Sequence, residues 1–324
     1  MAQKQPLELH GQPVGRLKAS WLLFKEAWRF LKADTEMLWI PLITAVLNLL
    51  LFGTLIAGFG LLIMGGDITL SQEGEPSSTI ELVFLFLCYV IGAFTFALSQ
   101  AAITNTVYTR VHNGDATLLD SLRAAFSHWF SLLLWSIITS TVGLVLRVIA
   151  ERSRLGIIIV AAVLGVAWSV LTYFVVPAMV IDKKSAFASI GTSARVFKMT
   201  WGETIVSNIG LGLALLVIHL GAIFSVLSLS FLCFAVGLEL LVIPILIIYA
   251  LFIVIMVLIQ ASLEGVLKTL LYVYAAEGVI PPNFDRELLE KMLARKDGST
   301  PTPPAATATD TNQHQTDEYS QPIN

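Results

Sequence analysis

The stretch "LIQASLEGVLKTLLYVY" (residues 258–274) sets Gln260, Glu264 and Lys268 four residues apart at the end of a long apolar run. Side chains at that spacing share one face of a helix. A charge inside hydrocarbon is costly, so a Glu and a Lys on a membrane helix suggest a substrate contact, an ion path or a proton relay. Depth decides how far that suggestion goes. A helix entering the membrane at Leu240 uses up a hydrocarbon core of about 30 Å in roughly 20 residues, by about Ile259. Gln260, Glu264 and Lys268 then stand at or just beyond the interface. Glu264 precedes Lys268, the favourable order for an exposed pair, which contributes about 0.2–0.5 kcal/mol. Two readings follow: an interfacial ion pair on a helix extension, or the lining of a polar vestibule.

Other polar residues invite the same weighing. Asn48 falls near the middle of an apolar run, and His219 about two-thirds of the way along another. An Asn in a membrane helix commonly bonds a neighbouring helix, contributing about 0.6–2 kcal/mol. The alternative for both is a ligand or proton position in a central cavity. Gln100 opens "QAAIT", which parallels "QASLE" at Gln260–Glu264. Arg147 is placed to snorkel outward or to pair with Glu151 one turn on. These residues, Asn48, Gln100, His219, Gln260, Glu264 and Lys268, are the candidate binding set.

Catalytic patterns are missing. The chain has no GxxxxGK[ST], GxSxG or HExxH, and its 5 histidines lack metal-ligand spacing. No cofactor, metal site or enzymatic activity is expected. No Asp or Glu lies in the central part of an apolar run, which weakens a proton-coupled carrier. Cys88 and Cys233 sit in apolar surroundings outside any CxxC and read as small buried thiols.

The elements that carry these residues follow from composition. Charged residues make up 13% of the chain and hydrophobic ones 56%, against about 25% charged in a soluble domain. Six runs are long enough to cross a bilayer: Leu38–Met64, Ile80–Ile103, Trp129–Ile149, Leu155–Ile181, Ile205–Leu227 and Leu240–Ala261. The segment Ser228–Glu239 is apolar yet has to turn. Pro177 predicts a kink in the fourth run. The fold expected is all-α: a polytopic membrane protein whose six helices form three hairpins. An amphipathic stretch precedes each hairpin: "GRLKASWLLFKEAWRFLKAD", "TLLDSLRAAFSHWF" and "SAFASIGTSARVFKMTW". Each is expected to lie among lipid headgroups, with Trp129 and Trp201 marking where the chain enters the membrane.

Of the 20 lysines and arginines, all but Arg147, Arg152 and Arg154 flank the same ends of the runs. That bias predicts both termini in the cytoplasm and a cytoplasmic (inner) cell membrane location. Basic residues beside the membrane point to anionic headgroups as partners. A protein partner or a second copy is a further expectation. A net charge of −3 gives no overall basic field for nucleic acid. Residues 1–15 are expected to be a flexible N-terminus, 16–296 the membrane domain, and the Thr-, Pro- and Gln-rich 297–324 a disordered tail.

"TVGLVLRVIAERS", "LGVAWSVLTYFVVPAMVIDKKSAFASIGTSARVFKMTWGE" and "LYVYAAEGVIPPNFDRELLEKML" resemble a family of bacterial and archaeal membrane proteins known as a domain of unknown function. The resemblance covers about residues 15–296 and implies a six-span protein, without implying an activity. More distantly, the repeated hairpin is similar to the membrane domain of some glycerophosphodiester phosphodiesterases. Together these features lead to an expected role as a non-enzymatic scaffold or envelope-organising component. The alternative is a transporter or a protein that handles lipid or small molecules, since many carriers are built from repeats. That alternative requires a polar cavity joining Asn48, His219 and the Gln100–Gln260 region.

Overall fold

The computed structural model describes residues 7–9, 12–14, 16–66, 79–151 and 155–279. Strands β1 (Leu7–Leu9) and β2 (Gln12–Val14) form a small antiparallel hairpin, with Leu7 opposite Val14. The rest is helical: α1 (Arg16–Ala33), α2 (Trp39–Met64), α3 (Thr79–Val111), α4 (Leu118–Ser127), α5 (Trp129–Glu151), α6 (Leu155–Leu171), α7 (Val175–Ile181), α8 (Ala186–Ala235) and α9 (Val242–Glu277). The all-α expectation holds. By length and apolarity 6 helical segments are able to cross a membrane, including Thr35–Met64, Ala162–Ile181 and Leu216–Ala235. The C-terminal part that sequence reads as a disordered tail lies outside the described residues.

Burial divides the molecule into two halves. At the end that carries most of the charges, hereafter the basic end, a close-packed core forms around Leu98, Ile103 and Val107 of α3, Met179 of α7 and Leu263 and Val266 of α9. A second cluster joins it through Phe174, Phe197 and Tyr272. Toward the other end large apolar side chains face outward, among them Leu49, Leu61, Phe224, Phe231, Ile248 and Leu251. Such a surface is stable only in an apolar solvent, which fits helices that cross a membrane. α3 is the hub: α2, α4, α5, α7 and α9 all pack on it. Its 33 residues reach about 50 Å, so roughly 20 Å projects beyond a hydrocarbon core.

Several local expectations change. α1 has a face set against protein. It packs on α8 and α9, with Ala27 and Leu31 buried. The side chains of Leu17, Trp21 and Phe24 are outside the described residues. The third lead-in is not a separate element either: α8 runs unbroken for 50 residues, about 75 Å, from Ala186 through Trp201 into the fifth span. The segment from Ser228 is also mostly helix. The turn is confined to Val236–Leu238, where Gly237 takes φ 76° and the Leu238 N–H bonds the Cys233 carbonyl at 2.8 Å. A glycine there avoids the strain a side chain would meet at that backbone angle.

The fourth span breaks rather than kinks. The chain leaves the helix between Leu171 and Val175, and Pro177 sits in the first turn of α7. A proline is tolerated in a first turn, where its missing N–H would have had no helical partner. The amide freed at the break is satisfied from another helix, since the Phe174 N–H donates to the buried Ser193 Oγ at 2.9 Å. α9 ends at Gly278 with φ 69°, a left-handed cap that a glycine adopts without strain.

Candidate functional site

The α3–α9 seam organises the candidate residues. Gln100 and Thr104, one turn apart on α3, face Ala261, Gly265 and Thr269, spaced by four on α9. Gln100 Nε2 donates to the Ala261 carbonyl at 3.3 Å, and Thr269 Oγ1 lies 3.1 Å from Thr104 Oγ1. All three polar side chains are buried. Gly265 permits this closeness: a Cβ there would stand 2.8 Å from Ile103 Cγ2 and 3.0 Å from Gln100 Oε1. Small residues let helix backbones approach in this way. The seam is closed by contact, and its hydrogen-bonding groups are turned on one another.

Glu264 and Lys268 lie on another side of α9. Lys268 Nζ is 2.6 Å from Glu264 Oε1, with the lysine side chain 14% exposed and the glutamate 31%. The ammonium also stands 4.9 Å from the Tyr173 ring centre and 5.8 Å from that of Phe96. Aromatic faces attract a cation, by about 0.5–2 kcal/mol according to desolvation. Lys268 thus ties α9 to α3 and to the break between α6 and α7. It is more enclosed than an exposed interfacial pair would be. Gln260, one turn earlier, is exposed on the bundle surface.

The remaining candidates stand elsewhere. Asn48 Nδ2 donates to Thr95 Oγ1 at 2.6 Å, joining α2 to α3. Thr95 in turn donates to the Ile91 carbonyl at 2.9 Å. His219 is half-buried on α8, a helix with no part in the α3–α9 seam. Arg147 reaches back to α3, where Nη1 lies 3.4 Å from the Tyr89 hydroxyl. Asn48 and Gln100 therefore hold α3 to two different helices, α2 and α9. A cleft of about 500 Å³ opens between α2 and α3, lined by Thr54, Gly58, Phe59, Val83, Phe84 and Leu87, and it includes none of the candidates.

Sequence reasoning missed a polar cluster at the basic end. Asp34, between α1 and α2, is buried and lies 2.7 Å from Arg110 Nε of α3. Arg110 also reaches Asp115 at 3.2 Å. His112 Nε2 is 3.1 Å from Glu277 Oε2, linking the ends of α3 and α9, and the Tyr108 ring lies 4.4 Å from the imidazole. Lys184 bridges Asp182 at 2.5 Å and Thr192 at 3.0 Å, fastening the α7–α8 turn. The Tyr272 hydroxyl is buried and faces Asp182. Each charge is visible in the sequence, but Asp34–Arg110 and His112–Glu277 join residues far apart in it. This cluster ties helix ends together. Among the described residues no group of three or more His, Cys, Asp or Glu side chains is placed to hold a metal ion.

No curated protein matches the chain, and the more distant likeness to glycerophosphodiester phosphodiesterases gains no support from the comparison. A family model does match, over residues 79–281, which takes in α3 to α9 with their seam and the break before Pro177. That span is more than half of the sequence and carries five of the six membrane-crossing segments, so the chain belongs to the family of unknown function DUF6159.

Proposed function

We propose that this protein is a non-enzymatic structural component of the cytoplasmic membrane, a scaffold or envelope organiser with both termini in the cytoplasm. The observation that carries this reading is the closed α3–α9 seam. Gln100, Thr104 and Thr269 satisfy one another or the facing backbone, and Gly265 leaves no room for even one added carbon. A passage for a polar solute needs such groups turned toward water or substrate. The orientation rests on the concentration of lysine and arginine at the basic end. Anionic headgroups, and a protein partner or second copy, are the contacts this surface suits.

A second reading has one observation in its favour. The α2–α3 cleft, about 500 Å³ and largely apolar, has the size of a small-ligand pocket and would suit a lipid chain. Native mass spectrometry of the protein released from lipid nanodiscs separates the two. The scaffold reading expects a bare protein, or a heavier complex with a protein. A retained small-molecule mass that Glu264→Gln or His219→Ala abolishes would overturn it. A retained lipid mass that Gly58→Trp abolishes would favour lipid handling.

A further inference from the structure

The amphipathic stretch forming α4 keeps an apolar face uncovered. Leu118, Ser121, Leu122 and Ala125 turn toward the core, with Ser121 Oγ 2.6 Å from Thr106 Oγ1 of α3. Beside that face Leu119 is 65% exposed and Phe126 48%. They are seven residues apart, two turns, and so line one side of the helix. Asp120, Arg123 and Ser127 are exposed on the side beyond them. The apolar side continues into Trp129 and Phe130, 53% and 64% exposed, in the first turn of α5. Only His128 separates α4 from that membrane-crossing helix.

Depth indicates what covers this face. The α4 anchor, Thr106, is 26 residues along α3 from Ile80, where the apolar run begins. At 1.5 Å per residue and a tilt of about 20°, it lies roughly 7 Å beyond a 30 Å hydrocarbon core, within the headgroup layer. A helix with its side chains is about 10–12 Å across, so apolar side chains of α4 reach the acyl boundary from there. Interfacial helices bury their apolar face about 5–10 Å into that region. We infer that α4 is seated in the headgroup layer of the same leaflet, with Leu119 and Phe126 dipping toward the acyl chains and Arg123 beside the lipid phosphates. The occupant of the face is the bilayer itself. The inference rests on the membrane orientation proposed above and goes further by assigning the contact to one helix.

Nitroxide labels test it in lipid vesicles, in a Cys88→Ala/Cys233→Ala background. Labels are placed singly through Leu119→Cys, Phe126→Cys, Asp120→Cys and Ser127→Cys, with Leu49→Cys as a control at mid-span on the outward face of α2. Collisions with oxygen are expected to exceed those with a water-soluble nickel chelate at 119 and 126, and the order to reverse at 120 and 127. Dominant nickel collisions at 119 and 126 would put the face in water and overturn the inference. Low collision rates with both reagents there would mean protein covers it, and would overturn it equally. The control separates this outcome from a failure of the wider reading, because a label at 49 open to nickel would deny the membrane-crossing architecture itself.

Discussion

Adding one carbon at Gly265 perturbs the α3–α9 seam directly. Its Cβ would meet Ile103 Cγ2 at 2.8 Å, whereas carbon atoms settle at about 3.5–4.0 Å, so one helix has to move by roughly 1 Å. Ile103 cannot swing aside, because it is fully buried and branched at Cβ. Overpacking of this kind costs about 1–3 kcal/mol. The Gln100–Ala261 bond, already 3.3 Å long, would stretch beyond use and forfeit about 0.5–1.5 kcal/mol more. Against this, alanine is favoured over glycine in a helix interior by about 0.8–1.0 kcal/mol. The balance is a net loss of about 1–3 kcal/mol for Gly265→Ala, and a larger one for Gly265→Val. Unfolding by SDS titration in mixed micelles reads this, and a double-mutant cycle with Ile103→Ala gives the reason. Removing the Ile103 branches opens the space the new methyl needs, so the pair is expected to be more stable than the sum of the singles, by about 0.5–3 kcal/mol. A Gly265→Ala variant that gains about 1 kcal/mol, equally in both backgrounds, would show propensity alone at work and refute the close approach.

Other perturbations follow from the same geometry. Arg110→Met is expected to lose about 1–3 kcal/mol, since it leaves the buried Asp34 carboxylate without its cation, and adding Asp34→Asn to recover part of that; micelle unfolding of the single and double variants reads both. Asn48→Ala should cost about 0.6–2 kcal/mol through loss of the 2.6 Å bond to Thr95, and Thr95→Ala should add little to it; equal losses from both singles that sum in the double would contradict the pairing. Tyr173→Leu removes an aromatic face from Lys268, with an expected loss of about 0.5–2 kcal/mol that disappears when Lys268 is already Met; a loss unchanged in the Lys268→Met background would assign it to packing. Ser193→Ala leaves the Phe174 amide at the α6–α7 break without its acceptor and should cost about 1–3 kcal/mol, together with faster hydrogen exchange at that amide.

What the sequence disclosed depends on the range of each signal. Six membrane-crossing runs were legible because hydrocarbon thickness demands about 20 apolar residues in a row. The Glu264–Lys268 pair was legible too, being fixed by helix periodicity alone. The lead-ins were harder. Periodicity says that one face of α1 is covered, but a protein surface and a lipid surface impose the same pattern, and α1 packs on α8 and α9. The lead-in before Trp201 carries no proline to stop it, so α8 simply continues. Pro177 correctly marked a disturbance, displaced because the proline opens α7 rather than bending a continuous helix. Gly265 lies in plain view beside Glu264, yet its importance comes from Ile103, 162 residues away. The same distance hid Asp34–Arg110 and His112–Glu277, since each partner looks like an ordinary charge beside a span.

The central claim is that the close-packed basic end faces the cytoplasm and the apolar halves of the helices cross the bilayer away from it. The most direct measurement is labelling of single introduced cysteines in intact cells with a maleimide that does not cross membranes. Glu73→Cys, in the segment joining α2 to α3, is expected to react from outside, and Lys183→Cys, at the turn between α7 and α8, to react only after the membrane is permeabilised. The reverse pattern, or labelling of both positions in intact cells, would contradict the account.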